Sequence, residues 1–397
     1  MPEIVQEIEK QACNPVTQII PPPLSLYIHF PWCVKKCPYC DFNSHKLKGR
    51  LDESRYIDAL IKDLEQDVPM VWGRTVHSVF MGGGTPSLFS AQSIERILNA
   101  VRALLQCKPG MEVTMEINPG TGEYDNFVGY KKAGVNRLSI GIQSLKDENL
   151  QALGRIHSSV QAIEVYHKAR AAGFNNINLD MMFALPDQSI EDARADLLAL
   201  MALKPNHISY YQLTIEANTL FAVKTPENIP NNDQLEEMYL QGNTLLQSNG
   251  YQQYEVSAYA RDAQKCQHNV NYWQFGDYLG IGAGAHSKIS FGATNDIKRY
   301  VKFKHPEVYQ RAASGYIQET KLLQASDLLF EYTLNAVRLK QVIKLQDFTM
   351  RTGIDSSVLI GKLDCALNMK WVQYQQDTIE LTEKGYLLSD EIVKLLL

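Results

Sequence analysis

Six runs of apolar residues alternate with stretches in which apolar residues recur every three or four positions. The runs are rich in Ile, Leu, Val, Phe and Tyr, and several are nearly continuous, which is typical of strands covered on both faces of a parallel sheet. They span 24–30, 78–84, 112–118, 137–144, 176–185 and 207–215. The stretches between them have the spacing of amphipathic helices. The pattern therefore predicts an α/β fold of six strand–helix units, which is either a barrel or a doubly wound sheet. Six units are fewer than the eight of a closed barrel, so a barrel would be incomplete.

The pattern changes after residue 216. A Pro/Asn-rich connection over 225–233 precedes a predicted helix over 235–250, and 251–260 resembles a strand. Residues 266–287 are rich in glycine and aromatic residues and have few periodic signals. From about residue 320, helical patterns followed by a short strand-like pair in 370–385 resemble a winged helix. We therefore predict a tail over 1–22, a barrel over 23–220, an accessory region over 221–319 and a smaller, mainly helical, winged-helix-like domain over 320–397.

Composition and charge narrow the function classes. The chain has 397 residues, of which 45% are hydrophobic and 21% charged, and its formal net charge is -5, which is typical of a globular protein. The mild acidity argues against nucleic-acid binding, and nine Lys/Arg against eleven Asp/Glu from residue 318 onward give the winged-helix-like part no basic face. The longest aliphatic run has seven residues, too few to span a membrane, and the acidic N-terminus does not resemble a secretory signal. These features predict a cytoplasmic protein.

Three of the seven cysteines, Cys33, Cys37 and Cys40, fall within eight residues, after the first predicted strand. An odd number of cysteines spread over a long chain without a secretory signal does not indicate a disulfide framework. Three thiolates can bind three irons of a cubane and leave the fourth iron open to a small ligand. The alternatives are a Cys3His zinc site completed by His29 or His45, and three buried structural cysteines.

The motifs around these cysteines carry a resemblance to a known family. The spacing C-x3-C-x2-C after a first strand resembles the signature of the radical S-adenosylmethionine (SAM) superfamily. The motifs LSLYIHFPWC, MGGGTPS, MEINPG, RLSIGIQS, LGRIH and NLDMMFALP resemble its HemN-like branch, named after oxygen-independent coproporphyrinogen III oxidase. The resemblance covers the chain from about residue 24 to its end and implies an incomplete six-stranded β/α barrel. It also implies that Cys33, Cys37 and Cys40 bind a [4Fe-4S] cluster whose open iron is chelated by SAM.

The same resemblance implies a set of SAM-binding residues. Gly83, Gly84 and Thr85 follow the second predicted strand, where glycines let the backbone approach a ligand closely. Most of the others stand at or just past predicted strand ends, on the face where barrel enzymes build their sites. The alternative for each of these residues is an ordinary polar residue at the surface or at a helix cap. The remaining family positions are occupied by Tyr27, Tyr39, Glu116, Gln143, Arg155, Asp180 and Thr214.

The sequence differs from the oxygen-independent coproporphyrinogen III oxidases in two features, and both point to a different branch of the family. Those enzymes carry a further cysteine two residues after the third, where this chain has Phe42. They also have a longer N-terminal arm, whereas here only 32 residues precede Cys33. Both features resemble the HemW-type branch, whose members are regarded as haem chaperones.

That branch carries an H-N-x-x-Y-W motif, which implies a site for haem b. An imidazole can ligate haem iron, and aromatic rings can pack on a porphyrin face. Cys266 is a second candidate for the iron ligand. The alternative is that the motif pins a turn of the accessory region. The motif residues of this chain are His268, Asn269, Tyr272 and Trp273.

The resemblance implies a haem chaperone that holds haem, a [4Fe-4S] cluster and SAM and delivers haem to acceptor haemoproteins. It implies peripheral docking at the inner face of the membrane and leaves a homodimer open. The rival hypothesis is an enzyme, a coproporphyrinogen III oxidase that decarboxylates propionates by radical SAM chemistry, but Phe42 and the short arm count against it. Radical modification of RNA would need a basic surface, for which the net charge leaves little room.

Overall fold

The computed structural model describes residues 17–120, 126–313 and 315–396. Most of the predicted tail, including Cys13, lies outside the described residues. The described end of the tail packs against the rest of the chain: Ile19 is buried and donates its N–H to Asn295 Oδ1 at 2.6 Å. The N–H of Ile20 donates to the carbonyl of Met350 at 2.8 Å.

Six parallel strands form the centre of the fold. The strands up to residue 212 are β1 (Leu24–Phe30), β2 (Trp32–Cys33), β3 (His45–Lys46), β4 (Thr75–Gly83), β5 (Gln106–Ile117), β6 (Arg137–Gln143), β7 (Asn176–Phe183) and β8 (His207–Gln212). The barrel strands pair in the order β1-β4-β5-β6-β7-β8, all in parallel. In their register, Val79 of β4 lies opposite both Leu26 and Val113. The predicted six-stranded incomplete barrel is confirmed.

Helices connect these strands and cover the outside of the barrel. They are α1 (Glu53–Asp67), α2 (Ala91–Leu104), α3 (Phe127–Ala133), α4 (Asp147–Ala152), α5 (Ser159–Ala171) and α6 (Ile190–Ala202), with 3-10 helices at Val68–Val71 and Pro86–Leu88. Serine side chains cap the starts of α2, α5 and α6. Ser158 accepts from the N–H of Gln161 before α5, and Ser189 accepts from the N–H of Asp192 before α6. Both form reciprocal capping boxes, which satisfy N–H groups that a helix start leaves unpaired.

The two faces of each barrel strand differ in polarity. On β1, Leu24, Leu26 and Ile28 are buried in the main hydrophobic core. The other face points into the barrel, and on β6, β7 and β8 its residues are mostly polar. Those that line the central cavity are Arg137, Ser139, Gly141, Gln143, Asn178, Asp180, His207, Ser209 and Tyr211. The barrel interior is therefore a polar chamber in which small ligands can be hydrogen-bonded.

The accessory region extends both edges of the barrel sheet. Its helices are α7 (Leu220–Val223), α8 (Asn232–Ser248), α9 (Gln267–Trp273) and α10 (Pro306–Arg311), and its strands are β9 (Gln252–Glu255), β10 (Ala258–Ala260), β11 (Asp277–Ile281), β12 (His286–Phe291), β13 (Asp296–Lys302) and β14 (Ile317–Leu322). The hairpin of β9 and β10 pairs antiparallel with β8 at one edge. At the other edge β11 pairs parallel with β1, and β12 to β14 continue antiparallel. The result is a sheet of twelve strands.

The glycine-rich stretch 266–287, which has few periodic signals, contains α9, β11 and the start of β12. All five residues of β11 are buried. Gly280 lets β12 approach, because a Cβ at this position would lie 2.0 Å from the carbonyl oxygen of His286. Because β11 is buried on both faces, its sequence lacks the alternation of apolar and polar residues that marks a half-exposed strand. The close approach of β12 to Gly280 is a contact between strands, which a local sequence pattern does not show.

Residues 325–396, which we call the C-terminal unit, form a second layer. Its helices are α11 (Ala325–Ala336), α12 (Leu345–Thr352), α13 (Ser356–Lys362), α14 (Asp364–Asn368), α15 (Glu383–Leu387) and α16 (Ser389–Lys394), and its strands are β15 (Ile343–Lys344), β16 (Val372–Gln375) and β17 (Thr378–Leu381). The strands form one small sheet in the order β15-β17-β16. The predicted mainly helical, winged-helix-like unit is confirmed. Its core also includes Ile19, Phe275 and Ile297, so the unit packs on the rest of the chain.

Across the described residues, no helix combines the length and the apolar character that crossing a membrane requires.

Candidate functional site

The three clustered cysteines lie in and after β2, at the carboxyl end of β1. Cys33 is buried, Cys37 and Cys40 are half-buried, and all three are free thiols that line one cavity. The loop that carries them is anchored by Asn43, whose Nδ2 donates to the carbonyls of Ala283 and Lys304 at 2.9 Å each. The accessory region thereby holds the cysteine loop in place.

The donor set fits an iron–sulfur cluster better than a single zinc ion. In the described parts of the chain, no three Cys, His, Asp or Glu side chains converge on a point that would hold one ion. The ligands of a cubane bind different irons, so their sulfurs need not converge on one point as they do around zinc. His29 is engaged on both ring nitrogens, with Tyr27 OH 3.0 Å from Nδ1 and the Asn43 carbonyl 2.9 Å from Nε2. Burial raises the pKa of Cys33, so a bound metal would displace a thiol proton.

One cavity of about 370 Å³ joins the cysteine loop to the polar interior of the barrel, and its volume lies in the range of small-molecule sites. Two of the predicted SAM-binding residues lie outside its wall. Tyr27 is half-buried behind it, and Thr214 is exposed beyond the end of β8. The predicted residues that line it are Tyr39, Gly83, Gly84, Thr85, Glu116, Gln143, Arg155 and Asp180.

The glycine turn after β4 packs too tightly for larger residues. Gly83 has φ +107°, and a Cβ there would lie 2.3 Å from the His29 ring. Its N–H donates to Glu116 Oε2 at 3.1 Å, and the N–H of Thr85 donates to the carbonyl of Trp32 at 2.7 Å. These N–H groups are therefore engaged within the protein. Apart from the thiol of Cys33, a weak partner, the buried hydroxyl of Thr85 has no hydrogen-bond partner among the described residues, so it is a polar group of this turn that a ligand can satisfy.

The carboxyl groups of two half-buried residues, Glu116 and Asp180, lie on the cavity wall. Burial and the nearby Asp180 raise the pKa of Glu116 to about 8, and burial raises the pKa of Asp180. Buried carboxyls that repel each other favour a cationic ligand, because positive charge stabilises their ionised forms. The sulfonium and amino groups of SAM supply such charge.

Arg155 and Gln143 connect the cavity to the cysteine loop and to β8. Arg155 donates to Asn118 Oδ1 at 2.6 Å and to the carbonyl of Gly141 at 2.7 Å, and its Nη1 lies 3.7 Å from Cys37 Sγ. Its Nε has no partner in the described structure. Gln143 has φ +73°, a strained backbone for this residue type, and its Oε1 accepts from Tyr211 OH at 2.6 Å. The unpaired donor of Arg155 and the hydroxyl in the glycine turn fit a polar ligand such as SAM.

The H-N-x-x-Y-W motif forms α9, which packs against the inward faces of β1, β4 and β5. Nδ1 of His268 lies 3.3 Å from Ser78 Oγ, and its ring centroid is 5.1 Å from that of Phe80. Its N–H donates to Glu112 Oε1 at 3.3 Å, and Asn271 Nδ2 donates to Ser25 Oγ at 2.9 Å. The helix thus closes the barrel beside these strands.

The motif residues divide between the cavity and the interior. Asn269 and Trp273 line the cavity. His268 is buried outside its wall, and Tyr272 lies between Trp273 and Tyr278, with ring centroids 4.8 and 5.1 Å away. Burial and the nearby Arg137 lower the pKa of His268 to about 3, so its imidazole is neutral. Cys266 is also buried, and burial raises the pKa of its thiol to about 12.

Sequence reasoning missed several polar residues of the cavity. Those on β6, β7 and β8 occupy every second position, so a period-two polar pattern could have found them. Glu255 and Arg338 carry no local signal, because they meet only through the packing of the C-terminal unit. The missed residues of these strands include Arg137, Ser139, Asn178, His207 and Ser209.

Comparisons with known proteins show which family this chain resembles. The family model described as the radical SAM superfamily matches residues 27–200. A Haemophilus influenzae protein named heme chaperone HemW is 45% identical over 380 residues, which cover 95% of this chain and 98% of that protein. Its Escherichia coli namesake is 46% identical over 376 residues, with 95% and 98% covered. The solved structure of coproporphyrinogen III oxidase (HemN) from Escherichia coli matches with a TM-score of 0.80 over 98% of this chain and 93% of that chain, at 22% identity, which bears on the fold alone.

Proposed function

This chain belongs to the heme chaperone HemW family of the radical SAM superfamily, and we propose that it binds haem and passes it to acceptor haemoproteins. The observation that carries this proposal is the 45–46% identity to proteins named heme chaperone HemW over nearly the whole of both chains. The similarity includes the C-terminal unit and the accessory region as well as the barrel.

The proposed cofactors are a [4Fe-4S] cluster and SAM, in keeping with the superfamily. Cys33, Cys37 and Cys40 would hold the cluster. Glu116 and Arg155, with their neighbours on the cavity wall, would orient SAM through its charged groups. A cluster of this kind, when SAM is bound, supplies one-electron reduction of SAM. The protein's own contribution is a polar chamber whose unpaired donors fix the ligand.

His268 is the proposed ligand of haem iron. Its Nδ1 is held beside Ser78, and no hydrogen-bond partner of Nε2 is found within the described chain. A ligating histidine usually has one ring nitrogen fixed by the protein while the other binds the metal. Asn269 and Trp273 extend from the same helix into the cavity wall. Haem bound at α9 would therefore reach the wall of the chamber that is proposed to hold SAM.

A haem titration followed by Soret absorbance tests this proposal. We expect the wild-type chain to bind haem, and His268→Ala to lose at least about tenfold in affinity with a changed spectrum, since a coordinate bond is removed. His167→Ala, at an exposed position of α5, is the matched control and should bind as the wild type does. An unchanged affinity and spectrum for His268→Ala would assign the motif to barrel closure alone, and Cys266→Ser would then be the next variant.

The second candidate function is oxygen-independent coproporphyrinogen III oxidation, which is favoured by the predicted SAM-binding residues that line one cavity. We expect no protoporphyrinogen IX when the reconstituted protein receives coproporphyrinogen III, SAM and a reductant under anaerobic conditions. Phe42 replaces the additional cysteine of those enzymes and is exposed. The product is measured by chromatography after oxidation to the porphyrin, with a known coproporphyrinogen oxidase as positive control. Repeated turnover would favour the enzyme over the chaperone.

We also propose peripheral docking at the inner membrane face, a homodimer and a protein partner for the C-terminal unit. Peripheral docking at the inner membrane face and a homodimer follow only from the family resemblance. The small acidic excess of residues 318–397 supports a protein partner rather than nucleic acid for the winged-helix-like unit. Flotation with lipid vesicles and light scattering of the haem-loaded protein test the first two.

A further inference from the structure

One part of the cavity wall is built by three elements that are far apart in sequence. Glu255 ends β9, Trp273 ends α9, and Arg338 follows α11 in the C-terminal unit. Arg338 donates through Nε at 3.0 Å and through Nη2 at 2.7 Å to Oε1 of Glu255. Its guanidinium carbon lies 4.5 Å from the centroid of the Trp273 ring. We call these three residues the arginine wall.

The arrangement leaves part of the guanidinium free for a ligand. Arginine has five N–H donors, and both bonds to Glu255 go to the same oxygen. The other oxygen of Glu255 accepts from the N–H and the hydroxyl of Ser257, both at 3.1 Å. The side chain of Glu255 is only 5% exposed, whereas that of Arg338 is 33% exposed. Glu255 therefore holds Arg338 in place without using all its donors.

Two arginines of this cavity offer N–H donors to an anion. Besides Arg338, the same cavity is lined by Arg137, which is 2% exposed and whose Nε has no partner among the described residues. The carboxylate nearest Arg137 is Glu112, at 3.9 Å, a long contact for an ion pair. Arginine recognises carboxylates through paired N–H donors, and a tryptophan ring offers a flat apolar surface. A planar, apolar ligand with carboxylate side chains matches both groups.

We infer that the arginine wall is the site where the propionate carboxylates of haem are recognised, with Arg338 as the residue that pairs with a propionate. This inference rests on the proposed function. It gives the C-terminal unit a part in ligand selection, because Arg338 is the residue which that unit contributes to the cavity wall. The backbone carbonyl of Arg338 accepts from the N–H of Val256 and from Tyr386 OH, both at 3.1 Å, so its position is fixed.

The test compares haem with haem dimethyl ester, whose propionates are blocked, by Soret titration in one buffer. The wild-type chain should bind haem about tenfold or more tightly than the ester. Arg338→Gln should lose about tenfold for haem and change little for the ester, so that the ratio of the two affinities approaches one. Arg338→Lys, which keeps the charge and loses the planar fork, should give an intermediate ratio.

Two further variants separate recognition from structural support. Glu255→Gln breaks the same ion pair but leaves Arg338 in place, so this variant should prefer haem over the ester as much as the wild type does, or more. If the ion pair were purely structural, Glu255→Gln and Arg338→Gln would behave alike. Arg299→Gln removes a comparable pair with Glu331, which joins β13 to α11 outside the cavity, and should keep the wild-type ratio.

The outcomes are distinct. Haem binding with an unchanged ratio in Arg338→Gln would overturn the inference and leave the proposed function standing. A loss of SAM binding in Arg338→Gln, with haem binding intact, would overturn it too, because the carboxylate it pairs with would then belong to SAM. A wild-type chain that binds neither haem nor its ester would refute the proposed function itself.

Discussion

Replacement of Cys33, Cys37 or Cys40 by alanine is expected to abolish assembly of the [4Fe-4S] cluster. With only two thiolates left, two irons lack a protein ligand, and SAM chelates only one of them. The three side chains line one cavity, and no other cysteine of the described chain lies on its wall. The measurement is iron and sulfide content per chain, with the visible absorption of the anaerobically reconstituted protein. The wild type should hold one cluster per chain, and each variant should hold none.

Two other cysteines are the matched controls. Cys107 lies in β5 with its Sγ 3.7 Å from the carbonyl of Leu105, and Cys365 is exposed on α14. Neither lines the cavity, so Cys107→Ala and Cys365→Ala should assemble the cluster as the wild type does. One zinc per chain without iron–sulfur absorption would contradict the cluster assignment and return the site to the zinc alternative.

The barrel could be predicted from the sequence because its signal is local. Each of its strands is buried on the face that packs against helices, so apolar runs such as Leu24–Phe30 are visible without knowledge of their partners. The cysteine loop and the glycine turn are also short motifs, with chemistry that depends on spacing. Glu116 and Asp180 were predicted through the family resemblance, and the parallel strands that carry them bring both to one cavity.

The parts that could not be predicted depend on pairs distant in sequence. Arg338 meets Glu255 across 83 residues, so nothing near either residue indicates a ligand wall. The placement of α9 inside the barrel depends on Ser25, Ser78 and Glu112, which precede it by far more than a local window. The buried strand β11 begins with a charged residue, Asp277, which a local pattern would assign to the surface.

Asp277 is fully buried because three residues, two in β12 and one in the connection before β4, supply its partners. Its carboxylate accepts from Lys288 Nζ at 2.8 Å and from Arg74 Nη1 at 2.7 Å, and also from the N–H and hydroxyl of Ser290 at 2.8 and 2.9 Å. The side chain of Lys288 is 1% exposed. Burial alone would raise the pKa of Asp277, but Lys288 and Arg74 outweigh it and hold the pKa below its ordinary value of 3.8. The charge cluster ties β11 and β12 to the connection before β4.

Asp277→Ala should lower the free energy of unfolding by roughly 3–5 kcal/mol, because it leaves Lys288 buried without an anion. The measurement is the urea midpoint of the purified protein, followed by circular dichroism. Asp58→Ala is the control: Asp58 pairs with Arg96 on the surface, where each side chain is 48% exposed, and the loss should be about 0–1 kcal/mol. The double variant Asp277→Ala with Lys288→Met should recover part of the loss, because the unpaired charge is gone.

The contribution of Asp277 to the stability of the folded chain depends on pH. A carboxyl group whose pKa is lowered on folding stabilises the folded chain fully above its unfolded pKa, and this contribution is lost as the pH falls through the folded pKa. The difference in free energy of unfolding between the wild type and Asp277→Asn should therefore be largest at neutral pH. It should shrink as the pH falls below 3.8. Urea midpoints measured from pH 7 downward would show it. A difference that stays constant through this range would mean that packing of the side chain, and not its charge, holds β11 in the sheet.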